Sequence, residues 1–203
     1  MDVFEAMETC RAIRYLKPDP VPAATIDRVL WAATRAPSPG NSQGWDFVVV
    51  DDPTKKARIA DAVRAAMSAR VAAMPRPDKT TRLMLDGTEA LIGTLEQAPA
   101  IIFVTGPVIY PYAAPDPQFT WSALYPAAQN ILLAARALGL GTTFTTLHMT
   151  AEPTVREVLG LPDEIKIAAT IPIGWPAANF GPVRRRPLAE FVHHNGWEGD
   201  KRG

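Results

Sequence analysis

The sequence predicts an α+β fold in which several helices surround a modest sheet. Apolar residues recur at helical spacing in several segments, most clearly over residues 121–138. Three short segments, at 48–50, 100–104 and 165–173, have the character of strands, and the first is continuously apolar, as is typical of a strand buried on both faces. The chain has 203 residues, 47% of them hydrophobic, and shows no internal repeat or linker. We therefore expect a single domain with a true core over residues 1–203.

The first half of the chain contains three predicted helices. The first covers residues 4–10, and prolines then force an extended link to the second, at 24–34. Pro53 is placed to begin the third helix, directly after the first strand. Prolines and polar side chains interrupt the pattern over 70–90, where we expect a mobile excursion that is a candidate lid.

One long helix dominates the second half of the chain. It begins at Trp121, is apolar on most sides and stops before Gly139, a typical C-cap residue, so we expect it to be central. The segment at 142–146 is β-prone, and a short helix follows over 153–160. The tail at 175–203 is polar and basic and too long to join the core alone. We expect this C-terminal extension either to fray or to wrap a partner subunit.

Composition excludes several classes of protein. A formal net charge of zero argues against nucleic-acid binding, and no apolar run is long enough to span a membrane. Cys10 is the only cysteine, so no intrachain disulfide can form, and the acidic N-terminus is unlike a signal peptide. The histidines, His148, His193 and His194, are a poor basis for a metal site. We expect a cytoplasmic protein with no metal, no membrane contact and no nucleic-acid partner.

Two short segments give the strongest functional signal. Residues 36–45 (APSPGNSQGW) form a small polar turn between a predicted helix and a strand, where a flat polar ligand can reach backbone groups. Arg11 and Arg14 lie three residues apart near the N-terminus, the separation of one helical face. A phosphorylated cofactor needs arginine side chains for its anionic phosphate and backbone groups for its polar ring. The two segments together indicate flavin mononucleotide (FMN).

Four segments, taken in order, resemble the FMN-dependent nitroreductase family. Residues 10–14 (CRAIR) are similar to the family's R-R-S-x-R, and residues 36–45 to its A-P-S-x-x-N-x-Q-P-W. Residues 129–141 resemble a central helix with a G-L-G end, and residues 173–188 resemble the closing G-Y-P and R-x-P-L pattern. The resemblance implies a nitroreductase-like α+β fold with helices around a small mixed, mainly antiparallel sheet. It also implies an intertwined homodimer with FMN sites at the subunit interface.

The resemblance assigns roles to individual residues. Arg11 matches an arginine that binds the FMN phosphate, Arg185 matches a second phosphate ligand, and Arg184 lies close to it. Arg14 matches a cation beside the pyrimidine edge of the flavin, where it would favour negative charge around N1 and O2. Ala12 stands where the family has serine, so only its backbone can contribute.

Two further groups of residues are implied to contact the flavin ring. Thr145 and Thr146 match a strand end that approaches the flavin N5 atom. A loop contributed by the other subunit matches Pro37, Ser38, Pro39, Gly40 and Asn41. The chain departs from the family pattern at Cys10, which replaces an arginine, and at Gly44, which replaces a proline. The arginines at 184–186 are a candidate compensation for the donor lost at Cys10.

The function that the resemblance implies is an FMN-dependent oxidoreductase with two half-reactions, which needs no catalytic side chain because the flavin N5 atom does the chemistry. NADH or NADPH is the expected electron donor, and Lys79 and Arg82 are candidates to reach a bound dinucleotide. A nitroaromatic, a quinone or an activated alkene is the expected acceptor. Aromatic residues at or beside a predicted loop over 110–119 are candidates to flank the acceptor: Tyr110, Tyr112, Phe119 and Trp121. A flavin-dependent dehalogenase, a flavin-cleaving relative and a non-catalytic FMN-binding protein stay open as alternatives.

Overall fold

A computed structural model describes residues 1–197, which form six α-helices around one four-stranded sheet. The helices are α1 (Val3–Thr9), α2 (Ala23–Ala33), α3 (Pro53–Ala72), α4 (Lys79–Thr94), α5 (Pro117–Ala137) and α6 (Glu152–Leu159). The strands are β1 (Asp46–Val50), β2 (Ala100–Gly106), β3 (Gly141–Thr142) and β4 (Lys166–Gly174). No helix within these described residues is long and apolar enough to cross a membrane.

All strand pairings in the sheet are antiparallel, in the order β1-β2-β4-β3. The side chains of β2 alternate between two cores. Ile102 and Val104 pack with α2 and α5, whereas Ile101 and Phe103 pack with α3, α4 and α6. Burial on both faces explains why the central strands read as continuously apolar runs. The predicted α+β fold, with helices around a small and mainly antiparallel sheet, is confirmed.

Helix α5 is central, as predicted, but it begins earlier than the apolar pattern indicates. The Asp116 carboxylate accepts a hydrogen bond from the backbone N–H of Gln118 at 2.7 Å, which caps the helix. Pro117 then occupies a first-turn position, where its missing N–H costs nothing. The predicted loop at 110–119 therefore ends at Asp116. At the other end, Gly139 adopts a φ of 80°, consistent with its predicted role in stopping the helix.

The expected excursion over 70–90 is wrong, because most of this segment is helical. Helix α3 continues to Ala72 and α4 begins at Lys79, so regular structure is interrupted only over 73–78. Asp78 caps α4 by accepting hydrogen bonds from the backbone N–H and the hydroxyl of Thr81, both at 2.8 Å. Buried leucines of α4 pack into the core beside α3, which outweighs the polar residues that suggested a loop.

The C-terminal segment runs back along the N-terminal segment of its own chain. The backbone N–H of Ala177 donates to the Tyr15 carbonyl at 2.9 Å, and that of Val183 donates to the Glu8 carbonyl at 2.8 Å. The guanidinium of Arg136 lies 4.1 Å from the ring centre of Phe180. These contacts fix the path of the tail up to residue 183. The last part of the predicted extension, 198–203, lies outside the described residues.

We expect His148 to make the protein less stable as the pH falls below its ordinary pKa of 6.5. Its ring is 3% exposed, and Nδ1 lies 2.9 Å from the Thr170 hydroxyl. Burial lowers the pKa of His148, while the nearby Glu152 charge and the Ile167 carbonyl oppose this shift. Just below pH 6.5, the unfolded chain therefore binds a proton at His148 that the folded chain does not bind. The free energy of unfolding falls in this pH range by up to about 1.4 kcal/mol per pH unit.

Urea unfolding between about pH 7.5 and pH 5 measures this slope. The His148→Gln variant keeps a polar side chain but cannot titrate, so its slope should be shallower than that of the unmodified protein. Identical slopes would show that other groups cause the acid sensitivity.

Candidate functional site

A cavity of about 880 Å³ opens between the N-terminal segment and the tail. Its walls come from residues 10–14, which follow α1, and from residues 182–185 of the tail. The first turns of α4, the middle of α5, and Thr142 with Phe144 complete the lining. This volume is in the upper range for small-molecule sites and leaves room for a cofactor and a second reactant.

The lining is strongly cationic. It contains the side chains of Arg11, Arg14, Lys79, Arg184 and Arg185 and no aspartate or glutamate. Within residues 1–197, none of these five side chains forms an ion pair with a carboxylate. Arginines that converge without an acidic partner form a site for a multiply charged anion, because guanidinium groups donate charge-assisted hydrogen bonds to phosphate.

The two predicted N-terminal arginines reach this cavity, but not from one helical face. Helix α1 ends at Thr9, and residues 10–14 are extended. The backbone N–H of Ile13 donates to the Thr142 carbonyl at 2.9 Å, and the Thr143 hydroxyl donates to the Ile13 carbonyl at 2.8 Å. The prediction that Arg11 and Arg14 share one helical face is therefore wrong. Pairing of their segment with the β3 region holds the two arginines in place.

The cavity has two distinguishable ends. The Nη1 atom of Arg11 lies 3.7 Å from the position that a Cβ on Gly181 would occupy, so this guanidinium faces the tail. The Cδ atom of Arg14 lies 3.0 Å from the corresponding position on Gly87, so this side chain packs against α4. We call the part of the cavity near Arg11, Arg184 and Arg185 the tail end, and the part beside α4 the α4 end.

Burial and charge act on two titratable groups of the lining. Burial lowers the pKa of the Arg14 guanidinium, the neighbouring Tyr15 opposes this shift, and the charge of Arg11 adds a smaller effect that lowers the pKa. Burial raises the pKa of the Cys10 thiol, which the charge of Arg136 partly offsets. Arg14 is thus a desolvated positive charge that an anion would stabilise, and Cys10 is a protonated thiol at neutral pH.

The structure brings some of the predicted site residues together. Arg11, Ala12, Arg14, Arg184 and Arg185 all line the cavity. The predicted partner-contacting residues do not line it: Pro37, Ser38, Pro39, Gly40 and Asn41. Their loop is folded on itself, since the Ser38 hydroxyl accepts from the Gln43 backbone N–H at 2.7 Å, and Gly40 lies against the Tyr110 ring with a φ of 59°.

Neither predicted threonine lines the cavity within this chain. The backbone N–H of Thr145 donates to the Thr170 carbonyl at 3.1 Å, and its hydroxyl donates to the same carbonyl at 2.8 Å. Both donors of Thr145 are therefore engaged by β4. Thr146, at the start of the following turn, is the better candidate for an approach to a ligand ring.

Sequence reasoning missed the residues that α4 and α5 contribute. Leu83 and Met84 belong to α4, which lies in the segment that was predicted to be irregular. Gln129 and Leu132 lie about one turn apart on α5. The i,i+3 spacing of the α5 pair was a usable signal, because residues three apart share a helix face.

Of the aromatic residues predicted to flank an acceptor, only Trp121 is connected to the cavity, and that connection is indirect. Its ring stacks on Tyr125 at 6.0 Å, and Tyr125 lies 6.1 Å from Phe144, which lines the cavity. Tyr110 instead packs edge-on to Tyr112 and Phe119, at 5.7 and 5.4 Å.

Comparison with known proteins places this geometry in a family. The model of the nitroreductase family matches residues 8–175, most of the chain. The chain belongs to the nitroreductase family. It is 33% identical to the 5,6-dimethylbenzimidazole synthase of Rhodospirillum rubrum over 196 residues, covering 93% of this chain and 85% of that protein. It is 29% identical to iodotyrosine deiodinase 1 of Rattus norvegicus, covering 94% and 68%.

A solved structure in the nitroreductase family also resembles this one. It is that of a candidate nitroreductase from Desulfovibrio desulfuricans in complex with FMN, with a TM-score of 0.68 and 28% identity, covering 95% of each chain. The relatives' names thus include a deiodinase and a synthase as well as a nitroreductase. Family membership supports an oxidoreductase that uses a flavin, while the reaction itself has to be argued from the cavity.

Proposed function

We propose that this nitroreductase-family protein is an FMN-dependent NAD(P)H oxidoreductase that reduces nitroaromatics, quinones or related electrophilic acceptors, as a cytoplasmic homodimer of one domain per subunit. The observation that supports this most strongly is the arginine-lined cavity without an acidic residue. FMN matches it in charge, since a phosphate suits the tail end and the negative charge of the reduced ring around N1 and O2 suits a neighbouring cation.

Each lining residue has a defined part in this proposal. Arg11, Arg184 and Arg185 hold the phosphate by charge-assisted hydrogen bonds. Arg14 places its desolvated charge at the pyrimidine edge of the ring, where it stabilises negative charge. The cavity side chains of α4 and α5 exclude water from the ring face.

The chemistry that this arrangement needs is supplied by the cofactor. When bound, FMN would supply hydride chemistry at N5 between donor and acceptor, so that one hydride from NADH or NADPH and one proton would reduce the acceptor by two electrons in ping-pong order. No catalytic side chain is required, which fits a lining that has no histidine, aspartate or glutamate.

A homodimer would explain why the loop residues 37–41 do not line the cavity of their own chain. The loop from Pro37 to Asn41 is expected to contact the flavin of the partner subunit. Large exposed apolar side chains fit such an interface, among them Phe4, Leu188 and Trp197, which are 78%, 75% and 83% exposed.

An absorbance spectrum of the purified protein, followed by anaerobic addition of NADH or NADPH, tests the proposal. We expect flavin bands that bleach with one of the donors and recover when a nitroaromatic or a quinone is added. As a readout independent of turnover, FMN should slow the reaction of the Cys10 thiol with a thiol reagent, because Cys10 lines the cavity.

The alternatives give different results in the same experiment. Flavin that binds but is reduced by neither nicotinamide would favour a non-catalytic FMN-binding protein. Flavin that is reduced but passes electrons only to halogenated arenes would favour the dehalogenase, as the deiodinase relative suggests. Destruction of the reduced flavin in air would favour a flavin-cleaving enzyme.

A further inference from the structure

The α4 end of the cavity holds a positive charge that the FMN phosphate does not account for. Arg11, Arg184 and Arg185 supply the tail end, whereas Lys79 and Thr80 line the cavity from the first turn of α4. Two apolar residues that follow on the same helix, Leu83 and Met84, also line the cavity. A cation beside an apolar wall is complementary to a flat molecule that carries one negative group.

The acidic residues of α4 do not neutralise Lys79. The Asp78 carboxylate accepts both hydrogen bonds from Thr81 and is turned toward its own helix. Glu89 and Asp86 are paired with Arg76, at 2.6 and 3.5 Å. Lys79 therefore lines a cavity in which every charged lining residue is positive.

Arg76 also fixes the position of this first turn. Its guanidinium joins the connection at 73–78 to the middle of α4 and donates to the Ala72 and Met74 carbonyls, at 3.2 and 3.3 Å. The start of α4 is thereby tied to the end of α3, so Lys79 is presented by a helix that is held in place.

We propose that Lys79 and Thr80 form an anion subsite for the second reactant, and that the preferred acceptors are planar aromatic molecules bearing a carboxylate or sulfonate. This rests on the proposed function, because it assigns the substrate class of the same cavity. A zwitterionic amino acid such as iodotyrosine fits less well, since the lining within this chain offers no carboxylate to its ammonium group.

The test compares two pairs of molecules that differ in charge but hardly in shape. Benzoate and benzamide are titrated into the FMN-loaded protein, with binding followed by the flavin absorbance. 4-Nitrobenzoate and 4-nitrobenzamide are then compared as acceptors. We expect benzoate to bind more tightly than benzamide by about five-fold, the size of one partly exposed charge pair. The Lys79→Gln variant should lose this preference, for binding and for KM alike.

Arg82→Gln is the matched control, because it removes a positive charge from an exposed residue of α4 that does not line the cavity. It should keep the preference for benzoate. Equal binding of benzoate and benzamide to the unmodified protein would overturn the anion subsite.

Other outcomes separate this inference from the proposed function. Lys79→Gln could instead raise the KM for NADPH but not for NADH and leave benzoate binding unchanged. The lysine would then bind the phosphate of NADPH, and the proposed class of anionic acceptors would be wrong. If the protein binds no flavin, or bound flavin is never reduced, the proposed function itself fails. If flavin is reduced normally while charge makes no difference to binding, only the anion subsite fails.

Discussion

Replacing Arg185 with alanine is expected to lower the affinity for FMN by about 10- to 100-fold, because a hydrogen bond to a charged group contributes about 1.5–3 kcal/mol. Arg185 lines the tail end of the cavity, and within residues 1–197 its guanidinium makes one hydrogen bond, from Nη1 to the neighbouring Arg184 carbonyl at 3.0 Å. The guanidinium is therefore available to a phosphate. Quenching of FMN fluorescence on titration with flavin-free protein measures the change in Kd.

Arg186→Ala is the control for this experiment. Arg186 is next in the chain and has the same charge, but it pairs with Glu190 at 3.1 Å and lies over Phe191, away from the cavity lining. Its removal should change the Kd for FMN less than two-fold, within the small effect of an exposed ion pair. An unchanged Kd in Arg185→Ala would show that Arg185 does not bind the phosphate, and Arg11 would then lack this predicted partner.

Adding Arg11→Ala to Arg185→Ala completes a double-mutant cycle. If both guanidiniums hold one phosphate, the double variant should lose less than the sum of the two single losses, because residues that share a partner are not independent. Strict additivity would indicate that the two arginines bind different groups.

The buried strands could be predicted because their environment is simple. A strand between two helical layers is apolar at every position, as Ile101 to Val104 show by alternating between the two cores. Helix α4 could not be predicted in the same way. Its helical state depends on a cap at Asp78 and on packing of Leu85 and Leu91, and the neighbouring prolines hide both signals.

The candidate site was predictable only where residues are adjacent in sequence. The arginines at 11 and 14 and at 184–186 could be singled out, and the structure brings all of them except Arg186 to one cavity. From the sequence, Lys79 is only a residue that could reach a bound dinucleotide, and its place in this cavity depends on how α4 packs. Nor could it show that the Thr145 donors are used by β4, since that depends on pairing with Thr170.

A second large effect is expected where two glycines touch beneath the 36–45 turn. A Cβ on Gly106, the last residue of β2, would collide with the carbonyl oxygen of Gly44 and lie 3.1 Å from Leu124. Because the carbonyl belongs to backbone, nothing flexible can move aside. We expect Gly106→Ala to reduce the free energy of unfolding by about 3 kcal/mol, the upper part of the usual range for overpacking.

Gly93→Ala is the matched substitution, with the opposite sign. Gly93 lies on the exposed side of α4, and a Cβ there meets nothing within 4 Å. Alanine should stabilise the helix by about 0.5–1 kcal/mol, because glycine loses more backbone freedom on folding. Urea unfolding of both variants measures the two effects side by side. Destabilisation by Gly106→Ala alone would show that close approach to Gly44 is the reason for glycine at the end of β2. Equal changes in the two variants would mean that backbone freedom alone explains both glycines and that the contact with the turn adds nothing.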